Sequence, residues 1–568
     1  MDYLMEEVLN QQPAEVQDFL METAVLARLC DSLCDAVTAQ QDSQQILEQL
    51  EAANLFILPL DNQRRWYRYH PLFGDLLRDR LTQIYPEKIA DLHHRASRWF
   101  SANSFAAEGI HHALMAKDET AAAQLIVNYA QEMIWRGDIV TLIGWLQALS
   151  PTAIDVHPRL GLSLTLARLL ASKFASLDEL LALLGKVETS LQTAKNNKHQ
   201  FELNGLRAVL LVEQGQTDAG LAMAESVITE LSKDVSRYGR YLASMVTATM
   251  GLAYRDQGKT ETAVYTYATI SKSEDNLMSR LHAAYEQSKL HQEMGQLHQA
   301  EKVHRQAIAW AEKQVGTSVA ALPLSGAAHI GLGSVLYEWH RLDEARNHLE
   351  MGIERAQQKG GLGLDRDGLL TLSLVYQAQG RVADANELMA QAETHARRSP
   401  RPDAMLRLRP FQVQLWLAQD HLAQAGQWAD QQQFDSKLRY PTEVTAVSVA
   451  SVYIAQKQPE RALSILNRTL PIAEGNGRWG RVIQILALQT VTHNQRGQAE
   501  QAFATLERCL ALAKPEGYTR LFLELGQSMA NILYTAVQQK ISPQYAGKLL
   551  TLFANEQKSV TPLTFTKS

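Results

Sequence analysis

The chain has 568 residues, a formal net charge of -6 and 46% hydrophobic residues. That is longer than one compact core usually allows, so several domains or a repeat array are expected. The mild acidity supplies no broad attraction to a polyanion and argues against a dispersed nucleic-acid surface. The longest stretch without a formal charge, residues 314–337, holds Pro323 and four glycines, which reads as a loop and a buried helix rather than a membrane span. Asp2, Glu6 and Glu7 stand where a signal peptide would be basic. Three cysteines fit a reducing cytoplasm, and Cys30 and Cys34, one helical turn apart, read as small core residues because no further Cys or His completes a metal set.

The first eighty-five residues predict helices in "MDYLMEEVLN", in "PAEVQDFLMETAVL" with Pro13 in its first turn, in "LCDAVTA" and in "DSQQILEQLEAANL". Two short strands, "LFILPL" and "RRWYRY", flank the turn "DNQ". Helices followed by a two-stranded hairpin make a winged-helix arrangement. Arginines interleaved with aromatics could grip a single strand of nucleic acid. Here the preceding helix is acidic and polar where phosphates would lie, so "RRWYRY" reads as the second wing strand. Arg65, Tyr67 and Tyr69 then face one side and Trp66 and Arg68 the other. His70 falls at the N-cap of the helix that Pro71 opens.

Residues 86–200 have helical character with looser spacing, as in "HHALMAKDETAAAQLIVNYA" and "MIWRGDIVTLIGWLQAL" around Gly137, and read as a helical linker with lead-in repeats. From about residue 200 a phrase recurs. Its turn residues are Gly215, Gly258, Gly295, His340, Gly380, Asp420, Lys457 and Gly497, spaced 37 to 45 residues apart. Five positions after each comes a small residue: Gly220, Ala263, Ala300, Ala345, Ala385, Ala425, Ala462 and Ala502. Seven positions before stand Ala208, Gly251, Ser288, Gly333, Ser373, Ala450 and Thr490, with Val413 the exception. An aromatic often lies four before the turn, as in Tyr254, Tyr376, Trp416 and Tyr453.

Small residues let two antiparallel helices approach, and glycine at the turn adopts the left-handed conformation that ends the first helix. This is the tetratricopeptide (TPR) pattern stretched from about 34 to about 40 residues. Hairpins of this kind bury their apolar faces only by stacking into a superhelix with a concave groove. The expected fold is therefore all-α: a TPR-like superhelix of helical hairpins over 201–555, preceded by a small winged-helix domain over 1–85 and the linker of 86–200. Residues 556–568 lack apolar periodicity and are expected to form a disordered tail.

No nucleophile elbow, metalloprotease helix, EF-hand loop or paired-cysteine zinc pattern occurs. Gly258-Lys259-Thr260 has Ala253 where a P-loop needs its earlier glycine, and it sits on a repeat turn. "KGGLGLD" at 359–365 reads as a loop between repeats. His93 with His94, and His111 with His112, are neighbours that point to different helix faces, and the histidines are assigned to helix surfaces and crossings. No catalytic constellation emerges, so the chain is not expected to be an enzyme.

The blocks "DYLMEEVLNQQPAEVQDFLMETAVLARLCDSLCDAVT", "ANLFILPLD", "WYRYHPLFGDLLRDRL" and "GAAHIGLGSVLYEWHRLDEARNHLEMGIERA" closely resemble the MalT-like family of large ATP-binding, LuxR-type transcriptional regulators. The resemblance runs along nearly the whole chain. It implies a plan of a STAND-class ATPase module, a winged helix, a repeat sensor and a C-terminal helix-turn-helix, with an inducer and ATP relieving autoinhibition so that the protein self-associates on promoters. These residues match the winged helix and sensor alone. ATP would act only through the family's N-terminal module, and this polypeptide would not itself contact DNA. In related STAND proteins a winged-helix histidine can contact nucleotide phosphates, a role that falls on His70 by its place in the motif.

The groove remains. In a TPR hairpin the first helix lines the concave side at about three, six and ten residues before the turn. That rule selects Leu252, Arg255, Tyr285, Lys289, Gln292, Ser334, Tyr337, Leu374, Gln377 and Gln414. These mixed side chains suit a small polar inducer or a peptide. The expected function is the signal-sensing and protein-interaction region of a MalT-like regulator, cytoplasmic and without membrane contact. The alternative is a stand-alone TPR-type scaffold for a protein or peptide partner.

Overall fold

A computed structural model describes residues 9, 11–53, 55–136, 138–171, 176–193, 199–272, 277–313, 321–357, 365–398, 404–433 and 440–560. The first eight residues, Gly137 and most of "KGGLGLD" therefore lie outside the described residues. The chain divides into two compact units, residues 1–167 with 183–199, and residues 168–182 with 200–568.

The first unit opens with helices α1 (Ala14–Thr23), α2 (Asp31–Thr38) and α3 (Ser43–Ala52), then strands β1 (Ile57–Pro59) and β2 (Tyr67–Tyr69), then α4 (Pro71–Ile84). The strands pair antiparallel with Ile57 opposite Tyr69 and Pro59 opposite Tyr67, and a bridge from Leu29 to Tyr67 adds a third edge. Asp61 builds the turn: its carboxylate accepts from the N–H groups of Gln63 at 2.8 Å, Arg65 at 3.1 Å and Trp66 at 3.0 Å. Alternation then sends Tyr67 and Tyr69 into the core and leaves Arg68 exposed. The buried hydroxyls find partners, Tyr67 on Glu51 at 3.0 Å and Tyr69 on Thr23 at 2.6 Å. Trp66 is half-buried against Phe105, Trp99 and the Arg28 guanidinium.

The wing is thus held by its aromatics, with Arg64, Arg65 and Arg68 at the solvent edge. The core of this region also runs past residue 85, because Leu92, Ala96 and Phe100 of α5 (Ile89–Ala102) pack into it. α6 (Ala106–Met115), α7 (Glu119–Arg136), α8 (Ile139–Ala148), α9 (Pro151–Val156), α10 (Pro158–Ala171) and α11 (Leu177–Thr193) follow. The α5–α6 pair already obeys the repeat's rules. Its turn residue Ser104 is left-handed at φ 68°, the next N–H, of Phe105, bonds back to Phe100 O at 2.9 Å, and Gly109 stands five positions on.

Among the described residues the second unit contains eight hairpins: α12–α13 (Gln200–Glu213, Thr217–Leu231), α14–α15 (Arg237–Asp256, Thr260–Lys272), α16–α17 (Leu277–Glu293, Leu297–Lys313) and α18–α19 (Ala321–Glu338, Leu342–Gln357). They continue with α20–α21 (Asp365–Ala378, Val382–Arg397), α22–α23 (Ala404–Ala418, Leu422–Asp430), α24–α25 (Tyr440–Ala455, Pro459–Gly475) and α26–α27 (Trp479–Gln495, Ala499–Ala513). All eight turn residues named from the sequence have positive φ, between 57° at Lys457 and 85° at Gly215. At each, the next N–H bonds to the carbonyl four before the turn, at 2.7 to 3.0 Å, which satisfies an orphan carbonyl of the first helix. The small residues on both arms are buried at the crossings. A Cβ at Gly251 would lie 2.7 Å from the Tyr267 ring, so no larger side chain fits that approach.

Three helices close the array, α28 (Arg520–Leu523), α29 (Gly526–Gln538) and α30 (Pro543–Val560). Phe522, Met529, Leu533, Leu549 and Phe553 join the core of hairpins seven and eight. α30 carries through the start of the tail expected from residue 556, where an ion pair from Arg520 to Glu556 holds its last turns; residues 561–568 lie outside the described residues.

Candidate functional site

The groove residues come from the first helices of hairpins two to six, and the structure engages them with the chain's own side chains. Arg255 is buried between Glu293 at 2.7 Å and Glu286 at 3.8 Å. Its carbonyl accepts from Arg478 at 3.2 Å, and Arg478 in turn pairs at 2.6 Å with Glu443, both side chains at most 2% exposed. Thr260 Oγ1 donates to Asn476 O at 2.8 Å. A Cβ on Gly480 would meet Gln292 O at 2.5 Å, so Gln292 marks a backbone contact between α16 and α26. These partners lie some two hundred residues apart. The superhelix curls until its seventh and eighth hairpins and its last helices meet the second to fourth.

The other end of that seam centres on Arg520. Its Nε lies 3.3 Å from the Tyr337 hydroxyl and 3.4 Å from Glu524. Tyr337 and Gln414 both donate to Glu524, Thr519 N–H donates to Glu338 O at 3.0 Å, and Trp339 Nε1 donates to Glu516 O at 2.8 Å. Burial and the neighbouring Glu524 push the Glu338 carboxyl up to about 8 against the pull of Arg520 and Arg481, and its Oε2 is shielded and unpartnered. Glu524 is also raised, by burial.

Between these closed nodes one cluster from hairpins three and five stays partly exposed. Tyr285 Oη donates to Asp367 at 2.8 Å, Lys289 Nζ at 3.1 Å and Arg366 Nη2 at 3.4 Å, while Lys289 and Asp367 remain 28% and 31% exposed. Ser334 meets Thr371 at 3.3 Å beside them. Burial would raise Asp367, but Lys289 and Arg366 outweigh it and hold the carboxyl well below the usual range. Glu286 behaves alike: burial is overcome by Lys289, His282, Arg255 and Arg407. Gln377 does not join this cluster; its Oε1 accepts from Gln419 of the next hairpin at 2.8 Å. Leu252 and Leu374 pack into the walls, Leu374 buried.

His70 occupies the expected N-cap, yet its side chain makes no capping bond. Its N–H donates to Phe56 O at 2.7 Å and its Nδ1 is shielded without a partner. Among the described residues no group of three His, Cys, Asp or Glu could hold a metal, and no helix is long and apolar enough to cross a membrane. Cys30 and Cys34 are buried free thiols.

Residues 201–539 match the sequence model of the MalT-like TPR region. The chain belongs to the MalT-like family. Residues 5–89 match the MalT winged helix domain, so both matched regions fall in the order read from the sequence. The MalT transcriptional regulators of Cronobacter sakazakii and Klebsiella pneumoniae are each 25% identical over 96% of the chain. The MalT-like chain spans 60% of the length of those two relatives. A solved Rap protein bound to competence and sporulation factor covers 64% of the chain at 11% identity, with a TM-score of 0.46.

The offset rule that named the groove residues of this MalT-like array missed the acidic partners of Arg255 and Lys289, and both members of the Arg478–Glu443 and Arg520–Glu524 pairs. Glu293 and Glu338 stand two before their turns and Glu286 nine before, positions the rule could have included. Arg478, Arg520 and Glu524 had no local signal, because only superhelical closure brings them to the groove.

Proposed function

We propose that this MalT-like chain is the signal-sensing and protein-interaction region of a LuxR-family transcriptional regulator. The observation that carries it is the ordered pair of matches, winged helix then TPR region, in a chain whose relatives are transcriptional regulators. The groove supports the reading: its two walls are joined by hydrogen bonds from buried, ion-paired side chains, and Lys289 and Asp367 between them stay partly exposed. An inducer or peptide seated there would compete with the chain's own carboxylates for Tyr285 and Lys289, and, where the seam is near, for Arg255, Tyr337 and Gln414, with Gln292 beside the backbone contact of the seam. Gln377 would act through hairpin stacking. Self-association follows from the altered array. The chain works in the cytoplasm without catalysis or direct DNA contact, and ATP acts through the family's N-terminal module, toward which His70, with its unpartnered Nδ1, would point a donor.

Thermal denaturation of the purified chain against a metabolite library tests this. A ligand at 100 times its dissociation constant adds roughly 2.7 kcal/mol of stability. At least one compound should do so. No stabilising compound, together with a stable protein partner recovered by pull-down, would replace the sensor by a scaffold.

A further inference from the structure

The open stretch of groove has a chemistry of its own. Three donors from two helices, Tyr285 and Lys289 on α16 and Arg366 on α20, converge on one carboxylate, that of Asp367. The fit is uneven. Tyr285 and Lys289 bond well, whereas Arg366 reaches Asp367 through one nitrogen at 3.4 Å and leaves its Nε without a partner. A guanidinium is built for two parallel bonds to a carboxylate or phosphate, and here that capacity is unused. Lys289 also faces a second carboxylate: with His282, Arg255 and Arg407 it holds the Glu286 carboxyl below the usual range despite burial.

We propose that Tyr285, Lys289 and Arg366 form a binding site for the anionic group, carboxylate or phosphate, of a small ligand, and that the Asp367 side chain is its built-in occupant. An incoming anion takes the Tyr285 hydroxyl and the Lys289 ammonium and gives Arg366 the second bond it lacks. Ser334 and Thr371, 3.3 Å apart beside the site, supply hydroxyls for the rest of the ligand. Asp367, about one-third exposed, has room to turn aside. The inference rests on the sensor reading and adds the ligand's charge.

The test uses inorganic phosphate and citrate as probes, titrated calorimetrically into the purified chain and into Asp367→Asn, which removes the internal competitor while keeping its shape. Asp367→Asn should bind one of the probes about tenfold more tightly than the parent chain, with the preferred probe telling phosphate from carboxylate. Adding Lys289→Gln to Asp367→Asn should abolish the gain. Circular dichroism checks that each variant folds, and Asp367→Ser serves if Asp367→Asn does not. Equal affinity in parent and Asp367 variants, or a gain that survives Lys289→Gln, overturns the proposal. A neutral compound that stabilises the chain while these probes show no gain would overturn the anion site and leave the sensor reading standing.

Discussion

His93 and His112 show what single residues contribute and what the sequence concealed about them. As neighbours of His94 and His111 they looked scattered over two helix faces. In the fold they meet across the α5–α6 crossing, Nδ1 to Nδ1 at 2.7 Å, and His329 and His348 repeat the contact at 2.9 Å across α18–α19. In both pairs the first histidine lies eleven before its turn residue and the second eight after. One ring must donate to the other, so neither pair can be doubly protonated. Burial and the neighbouring His111 push His93 down to about 4; burial with His93 and His111 takes His112 to about 3. In the unfolded chain both titrate near 6.5. Their contribution is complete above that pH and is lost as pH falls toward the folded values, because the unfolded chain takes up protons first. Between pH 7 and pH 5 each should cost about 1–2 kcal/mol, read as a falling urea midpoint. A His93→Leu/His112→Leu double variant should show a shallower fall, and an unchanged slope would refute the assignment. Arg478 makes a second residue-scale case. With Glu443 fully buried beside it, Arg478→Met alone should cost about 3 kcal/mol by leaving that carboxylate only the more distant Arg481, at 3.9 Å, and adding Glu443→Leu should recover much of the loss. Equal destabilisation by the single and double variants would show that Arg478 acts through packing.

The hairpin was the most legible element, because its grammar is local. A left-handed residue, a small residue five positions on and another seven before are fixed by backbone geometry within some fifteen residues, and all eight turns lie where these spacings put them. The same grammar explains why His340, Asp420 and Lys457 serve as turn residues at some cost. A non-glycine residue in that conformation costs about 1–2 kcal/mol, partly offset by glycine's greater unfolded entropy. Lys457→Gly should therefore raise stability by about 0.5–1 kcal/mol, whereas Gly380→Ala should lower it by about 1 kcal/mol. Thermal melts of the two variants moving in the same direction would contradict the turn assignment. The wing was legible for a similar reason: Asp61 and the alternation of "WYRY" act within one hairpin. The Ser104 hairpin was read only as looser helical sequence, since its aromatic-rich neighbourhood belongs to the winged-helix core as much as to the repeats.

At the scale of the repeat unit, local pattern has little to say. That hairpins stack into a superhelix follows from their apolar faces; how far the superhelix curls depends on small rotations summed over eight repeats. The sequence therefore indicated a groove, and the structure joins its walls through Arg255, Arg478 and Glu443 at one end and Tyr337, Arg520 and Glu524 at the other. Buried charge of this kind stabilises modestly when paired and is costly when parted, so opening this seam carries a free-energy cost. The central claim is that the C-terminal helices and the middle hairpins of this MalT-like chain close on each other as one cooperative body. Hydrogen–deuterium exchange on the chain and on Arg520→Met measures this directly. Closure predicts faster exchange in Arg520→Met both near the substitution, in α28 and α30, and in the last turns of α18 around Tyr337, with α21 unchanged. Acceleration confined to α28 and α30, with α18 protected as before, would contradict it.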